Sequence, residues 1–100
     1  MRTIERRIKQ ALEMHRSLHV GNTRLVCHLN GQWALFLFGN KIAWHGGHGP
    51  QFCLCGHNTL TTKSRLRNIF GLYIYSEDYC PMWNTGEHTI MLSTNQPYPF

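Results

Sequence analysis

Apolar residues recur at helical spacing from the start of the chain. Ile4, Ile8, Ala11, Leu12, His15 and Leu18 share one face if the segment is helical, and Arg2, Arg6, Lys9, Glu13 and Arg16 fall on the other. The pattern predicts an amphipathic helix from Thr3 to about Leu18, stopped by Gly21-Asn22. His15, mid-stripe, is expected to be a core histidine bonded to a neighbour. Glu5 and Glu13 are expected on solvated surface.

The period then changes from helical to alternating. Arg24 to Leu29 reads as a strand with Leu25, Cys27 and Leu29 on one side. Asn30-Gly31, set between two apolar runs, is a hairpin signal, because both central positions of the tight turn need positive φ. Gln32 to Phe38 is the second strand, Gly39-Asn40 a second turn, Lys41 to Trp44 the third strand and Gln51 to Cys55 a fourth. In the second strand Trp33, Leu35 and Leu37 alternate with Ala34, Phe36 and Phe38. Both sets are apolar, so both faces of the sheet are expected to be covered there, the second by the C-terminal hairpin or by another molecule.

A second helix starts near Thr61 or Thr62, either of which can cap it, and stops at Gly71. Leu66, Ile69, Phe70 and Tyr73 form its buried stripe. Tyr73 to Tyr79 and Glu87 to Ser93 read as a closing pair of strands turned by Asn84-Thr85-Gly86. Pro81 points to an edge strand or a bulge. The tail from Thr94, with Pro97 and Pro99, is expected to be extended. The fold class is therefore α+β: an N-terminal helix, an antiparallel β-meander of three or four strands, a second helix and a C-terminal β-hairpin.

Composition narrows the class. The 100 residues suffice for one domain, residues 1–100, and 42% hydrophobic against 15% charged residues excludes global disorder. Ten Lys and Arg against five Asp and Glu give +5, which favours negatively charged partners. The charged start, Met1-Arg2-Thr3-Ile4-Glu5-Arg6-Arg7, has no apolar run behind it, and the longest such run, Trp33 to Phe38, is too short to span a bilayer. A cytoplasmic protein with reduced cysteines and no membrane partner is expected.

Two stretches carry a family resemblance: Leu35-Phe36-Leu37-Phe38-Gly39-Asn40-Lys41-Ile42-Ala43-Trp44, and the run from Leu54-Cys55-Gly56-His57 through Thr61-Thr62-Lys63-Ser64-Arg65-Leu66 to Ile69. With their Gly-Asn turn, Ile-Ala strand and Thr-Thr-x-x-Arg-Leu helix start, they resemble a small phage or prophage domain of unknown function, over residues 23 to 92. The resemblance implies a phage origin and a bacterial host. It supplies no catalytic or binding residues.

The densest chemistry is His45, His48, Cys53, Cys55 and His57, five candidate zinc ligands within thirteen residues. Cys53 and Cys55 would share one face of a strand, about 7 Å apart. The spacing matches no standard zinc pattern, so the cysteines read as small core hydrophobes, with no metal and no cofactor, and a zinc-stabilised domain is the second alternative. Cys27-His28 and Glu77-Asp78 are neighbours that diverge on a strand, so neither makes a dyad. No catalytic residue is expected and the protein is not expected to be an enzyme.

Basic groups form two patches. Arg2, Arg6, Lys9 and Arg16 lie along the first helix, and Lys63, Arg65 and Arg67 crowd the start of the second. Arg suits planar contacts to phosphate or carboxylate. These seven residues are the expected partner-binding set, with the alternative for Arg65 that it braces its own helix. The tryptophans and several tyrosines could stack bases, although most are expected to serve the core. The leading function is a small phage-type accessory protein, a non-catalytic binding module that inhibits or modulates a host bacterial protein or ribonucleoprotein complex, such as a defence system, in the manner of an anti-CRISPR protein. Direct nucleic-acid binding through the Arg-rich faces is the alternative. A homodimer is compatible with either.

Overall fold

The computed structural model describes residues 2–100. Helix α1 (Thr3–Glu13) is followed by β1 (Leu18–Val20), β2 (Thr23–Cys27), β3 (Trp33–Leu37), β4 (Asn40–Gly46) and β5 (Gly49–Phe52). Then come α2 (Leu60–Phe70), β6 (Tyr73–Glu77), β7 (Cys80–Asn84), β8 (Thr89–Met91) and β9 (Tyr98–Pro99). The strands form a six-stranded antiparallel sheet, β1-β2-β3-β4-β5-β9, and a three-stranded one, β6-β7-β8. The α+β order predicted above is the observed one, but the meander has five strands, β1 to β5, where three or four were expected, and the C-terminal unit has three strands in place of a hairpin.

The first helix is shorter than its apolar periodicity suggests. It ends at Glu13 because His15 turns left-handed (φ 53°), which lets the Arg16 N–H donate to the Ala11 carbonyl at 2.8 Å. His15 is thus exposed, with Nε2 2.6 Å from the His28 carbonyl, and Leu18 belongs to β1. Gly21-Asn22 is the two-residue turn of the β1–β2 hairpin, where Val20 pairs with Thr23. Ile8 and Ala11 are buried, with Ile4 and Leu12 packed beside them.

Asn30-Gly31 lies in the β2–β3 hairpin, but the loop has three residues, Leu29-Asn30-Gly31, closed by the His28 N–H donating to the Gln32 carbonyl at 2.8 Å; only Gly31 takes a positive φ, and Leu29 is fully exposed. The next turn lies one residue earlier than its sequence signal. Leu37 pairs with Asn40, and the corner is Phe38-Gly39, both at positive φ. Phe38 therefore leaves the strand and is 71% exposed. The two faces of β3 are unequal: Leu35 and Leu37 are buried, whereas Ala34 and Phe36 are only half-buried. The expectation of two fully covered faces fails at that corner.

Helix α2 is capped by Thr59, whose Oγ1 accepts the Thr62 N–H, and Gly71 ends it at φ 75°. Thr61 and Thr62 lie within the helix. Leu66 and Ile69 reach the core, while Tyr73 does not. The closing pair of strands is in fact three, because Asp78-Tyr79, both at positive φ and without glycine, form an additional two-residue turn. Pro81 stands in β7, the middle strand. Its carbonyl accepts the Leu92 N–H at 2.9 Å, so its backbone faces the β8 side and only one ladder donor is lost, at the frayed end of β8. The tail returns as β9 along β5.

One core joins both sheets. Leu25, Leu35, Leu37, Ile42, Ala43, Phe52 and Leu54 meet Ile8 and Ala11 from α1, Leu66 and Ile69 from α2, and Ile74 from β6. Phe52 sits at the centre of an aromatic chain, edge-on to Trp83 at 5.0 Å and near Tyr98 and Phe100, and Phe100 leads on to Phe70 and Trp33.

Candidate nucleic-acid interface

The polar centre of the molecule is a buried clasp. Arg65, 2% exposed, donates through Nη1 to Glu5 Oε2 at 2.8 Å and through Nε to Thr23 Oγ1 at 3.0 Å, and its Nη2 lies 3.3 Å from Asn22 Oδ1. Glu5, fully buried, also accepts from Ser64 Oγ at 2.7 Å, Asn68 Nδ2 at 2.7 Å and the Arg2 N–H at 3.4 Å. The clasp ties α1, α2 and the β1–β2 hairpin together. Burial alone would raise the Glu5 carboxyl, but the bonds from Ser64, Arg65, Asn68 and the Arg2 N–H outweigh it and hold it below its usual value of 4.5. Two expectations are corrected here. Glu5 is not on solvated surface, and Arg65 is not available to a partner, because both are consumed in the core.

Lys63 departs from expectation in another way. It is 8% exposed, so it does not stand on an outer face. Its Nζ bonds the Ser76 hydroxyl. No carboxylate lies within 4 Å of it among the described residues, where the Arg65–Glu5 pair is the only salt bridge. Lys63 lies on the floor of an open groove of about 590 Å³ between α2 and β6, lined also by Arg2, Ser64, Arg67, Asn68, Tyr75 and Ser76. None of the described lining residues is acidic. Of the seven expected contact residues, the structure brings Arg2, Lys63 and Arg67 together in this groove. Arg6 and Lys9 stand exposed on α1, and Arg16 is exposed just beyond it.

The sequence reading placed Tyr73 in the buried stripe, yet it is 58% exposed, with the Arg67 guanidinium 5.0 Å from its ring centroid. Tyr75, 41% exposed, stands two residues on, with the buried Ile74 facing the other way between them. The alternation of Tyr73, Ile74 and Tyr75 carries this information, although Tyr73 also falls at helical spacing from Leu66, Ile69 and Phe70.

The five candidate zinc ligands are dispersed. His45 lies on β4 with a buried, unpartnered Nδ1, His48 is in the β4–β5 turn, and His57 borders a hollow beside the start of α2. The strand ends at Phe52, and Cys55 is left-handed (φ 54°), so Cys53 and Cys55 do not share a strand face. Cys53 Sγ accepts the Cys55 N–H, and Cys55 Sγ donates to the Lys41 carbonyl. Burial, reinforced by Cys53 and opposed by Lys41, pushes the Cys55 thiol up to about 11. Among the described residues no three His, Cys, Asp or Glu side chains stand close enough to share a metal ion. No described helix is long and apolar enough to cross a membrane.

The fold and this surface define a small basic α+β protein with a buried Glu–Arg clasp and a cationic groove beside exposed tyrosines. The chain belongs to the Kyanoviridae Gp96 protein family, whose model matches residues 1–98. It is thus a phage protein, and the match takes in the N-terminal helix that the motif resemblance left outside. No curated protein and no solved structure matches the chain.

Proposed function

We propose that this protein is a non-catalytic binding module, a phage accessory protein that docks on a host bacterial complex and modulates it, with a defence complex as the concrete case. The observation that carries the reading is the state of its cations. Arg2, Arg6, Lys9, Arg16 and Arg67 are exposed with no carboxylate within 4 Å among the described residues. Unpaired surface charge of this kind accelerates association and orients the protein against an anionic surface.

The test is affinity capture from host lysate with wild type and with two charge-reversed variants, Arg6→Glu with Lys9→Glu, and Arg67→Glu. These side chains are exposed, so melting temperatures should stay within a few degrees. Each variant should lose the bacterial complex that the wild type retains. Capture of the same proteins by all three forms refutes the reading.

A further inference from the structure

We propose that the outer face of the β6–β8 sheet, with the cationic groove at its rim, binds single-stranded nucleic acid. Bases stack on Tyr73 and Tyr75, and phosphates lie along Arg67, Lys63 and Arg2. The inference rests on the binding-module reading and names the component of the host complex that is touched.

Tyr73 and Tyr75 project from one face of β6 while Ile74 between them is buried. The strand repeat sets them about 7 Å apart, so each ring can take one base of a strand running along β6. The register continues the face from Tyr75 to Met82 and Met91, and from Tyr73 to Asn84 and Thr89. Met91 is 66% exposed, so this is an open platform. Arg67 stacked on Tyr73 steadies that ring and leaves its own N–H groups for a phosphate.

Lys63 supplies the second, independent argument. The Lys63 side chain is largely buried, and its ammonium, bonded to the Ser76 hydroxyl in the open groove, has no carboxylate within 4 Å among the described residues. The Ser64 and Asn68 donors beside it are already taken by Glu5. An anion entering the groove meets Lys63, Arg67 and Arg2 and no acid among the described lining residues. Glu77 and Asp78 at the hairpin tip close the far end of the track to phosphate. An acidic peptide would satisfy the cations but would leave the paired rings unused. A duplex would present phosphates with its bases already stacked on one another.

The probes are fluorescein-labelled oligothymidylate and oligouridylate of about twelve nucleotides, a length within the range of one small binding fold. A duplex of the same length and polyglutamate serve as competitors, and binding is read by fluorescence anisotropy. The single strands should bind with a log–log salt slope of about −2, for three phosphates at about −0.7 each. Tyr73→Ala and Tyr75→Ala should each weaken binding by about tenfold, whereas Tyr75→Phe should stay within about twofold of wild type. Arg67→Glu should make the slope shallower. A melting curve for each variant confirms that the fold is kept.

The proposal is overturned if neither strand binds at about 100 µM protein and about 50 mM salt, where even non-specific phosphate contact registers. It is equally overturned if the alanine variants bind like wild type, or if duplex or polyglutamate competes as well as the single strand. If the oligonucleotides fail while a host complex is still captured from nuclease-treated lysate and lost with Arg6→Glu and Lys9→Glu, this inference falls and the binding-module reading stands. If they bind as described and no host complex is retained, the inference stands and that reading falls.

Discussion

Replacing Glu5 with Gln keeps the shape of the side chain and removes the only carboxylate of the clasp. Arg65, 2% exposed, would then keep its charge in the core with Thr23 and Asn22 as neutral partners. One amide oxygen would have to serve Ser64, Arg65, Asn68 and the Arg2 N–H, and the new NH2 would face donors. Breaking a buried ion pair from one side costs about 3–5 kcal/mol. In a chain of this size each kcal/mol lowers the melting temperature by roughly 4–8 °C, so a fall of at least about 12 °C is expected. Urea unfolding followed by far-ultraviolet circular dichroism gives the free energy directly, and a cycle with Arg65→Met isolates the pair. The double variant should be closer to wild type than Glu5→Gln alone, because an uncompensated charge, and not lost volume, is the damage. A Glu5→Gln protein melting within about 2 °C of wild type would show that the clasp is solvated in solution.

Acid should act through the same residue. The folded carboxyl lies below 4.5, so its stabilisation is complete above about that pH and is lost as pH falls through the folded value; wild type should lose stability below pH about 4.5 more steeply than Glu5→Gln, as read by melting scans against pH. Ile8→Asp should abolish folding, since position 8 is fully buried among apolar neighbours, and a cooperative melt like that of wild type would refute the packing. The Cys55 thiol, pushed from 9.0 to about 11, should carry about a hundredfold less thiolate at neutral pH than an unperturbed cysteine. Iodoacetamide labelling of Cys55, followed by mass spectrometry, should therefore be slow in the folded protein and fast in urea, and equal rates would count against the burial.

Elements with a strong local signal were legible in the sequence, and their ends were less so. The Ile4, Ile8, Ala11, Leu12 stripe located α1, but its stop depends on His15 adopting a left-handed backbone, which no glycine announced. The Asp78-Tyr79 turn was hidden for the same reason, and it converted an expected pair of strands into three. Phe38 is the same case once more: the local pattern favoured strand, and the hairpin's demand for two positive-φ residues decided otherwise. At His15 the closing bond of the helix, and at the two hairpins strand pairing, imposed a conformation that residue type alone disfavours.

The seven cations expected to meet a partner look alike in sequence, and the packing of α2 against α1 on one side and β6 on the other separates them. Position 5 faces position 65 across sixty residues of chain, so the ion pair that removes Arg65 from the surface has no local signature. Two residues before Arg65, on the other side of α2, packing against β6 buries Lys63 beside Ser76 without giving it an acid. With five acidic residues for ten basic ones, and Glu5 committed to Arg65, the core has satisfied one of its two buried cations and left the other facing a groove. A lysine whose stem is buried while its ammonium faces a groove without acids is an arrangement that packing of the core alone does not require. It becomes intelligible if an anion from outside the chain occupies that groove while the protein is at work, which is why Lys63, and not the more numerous exposed arginines, carries the sharper information about the partner.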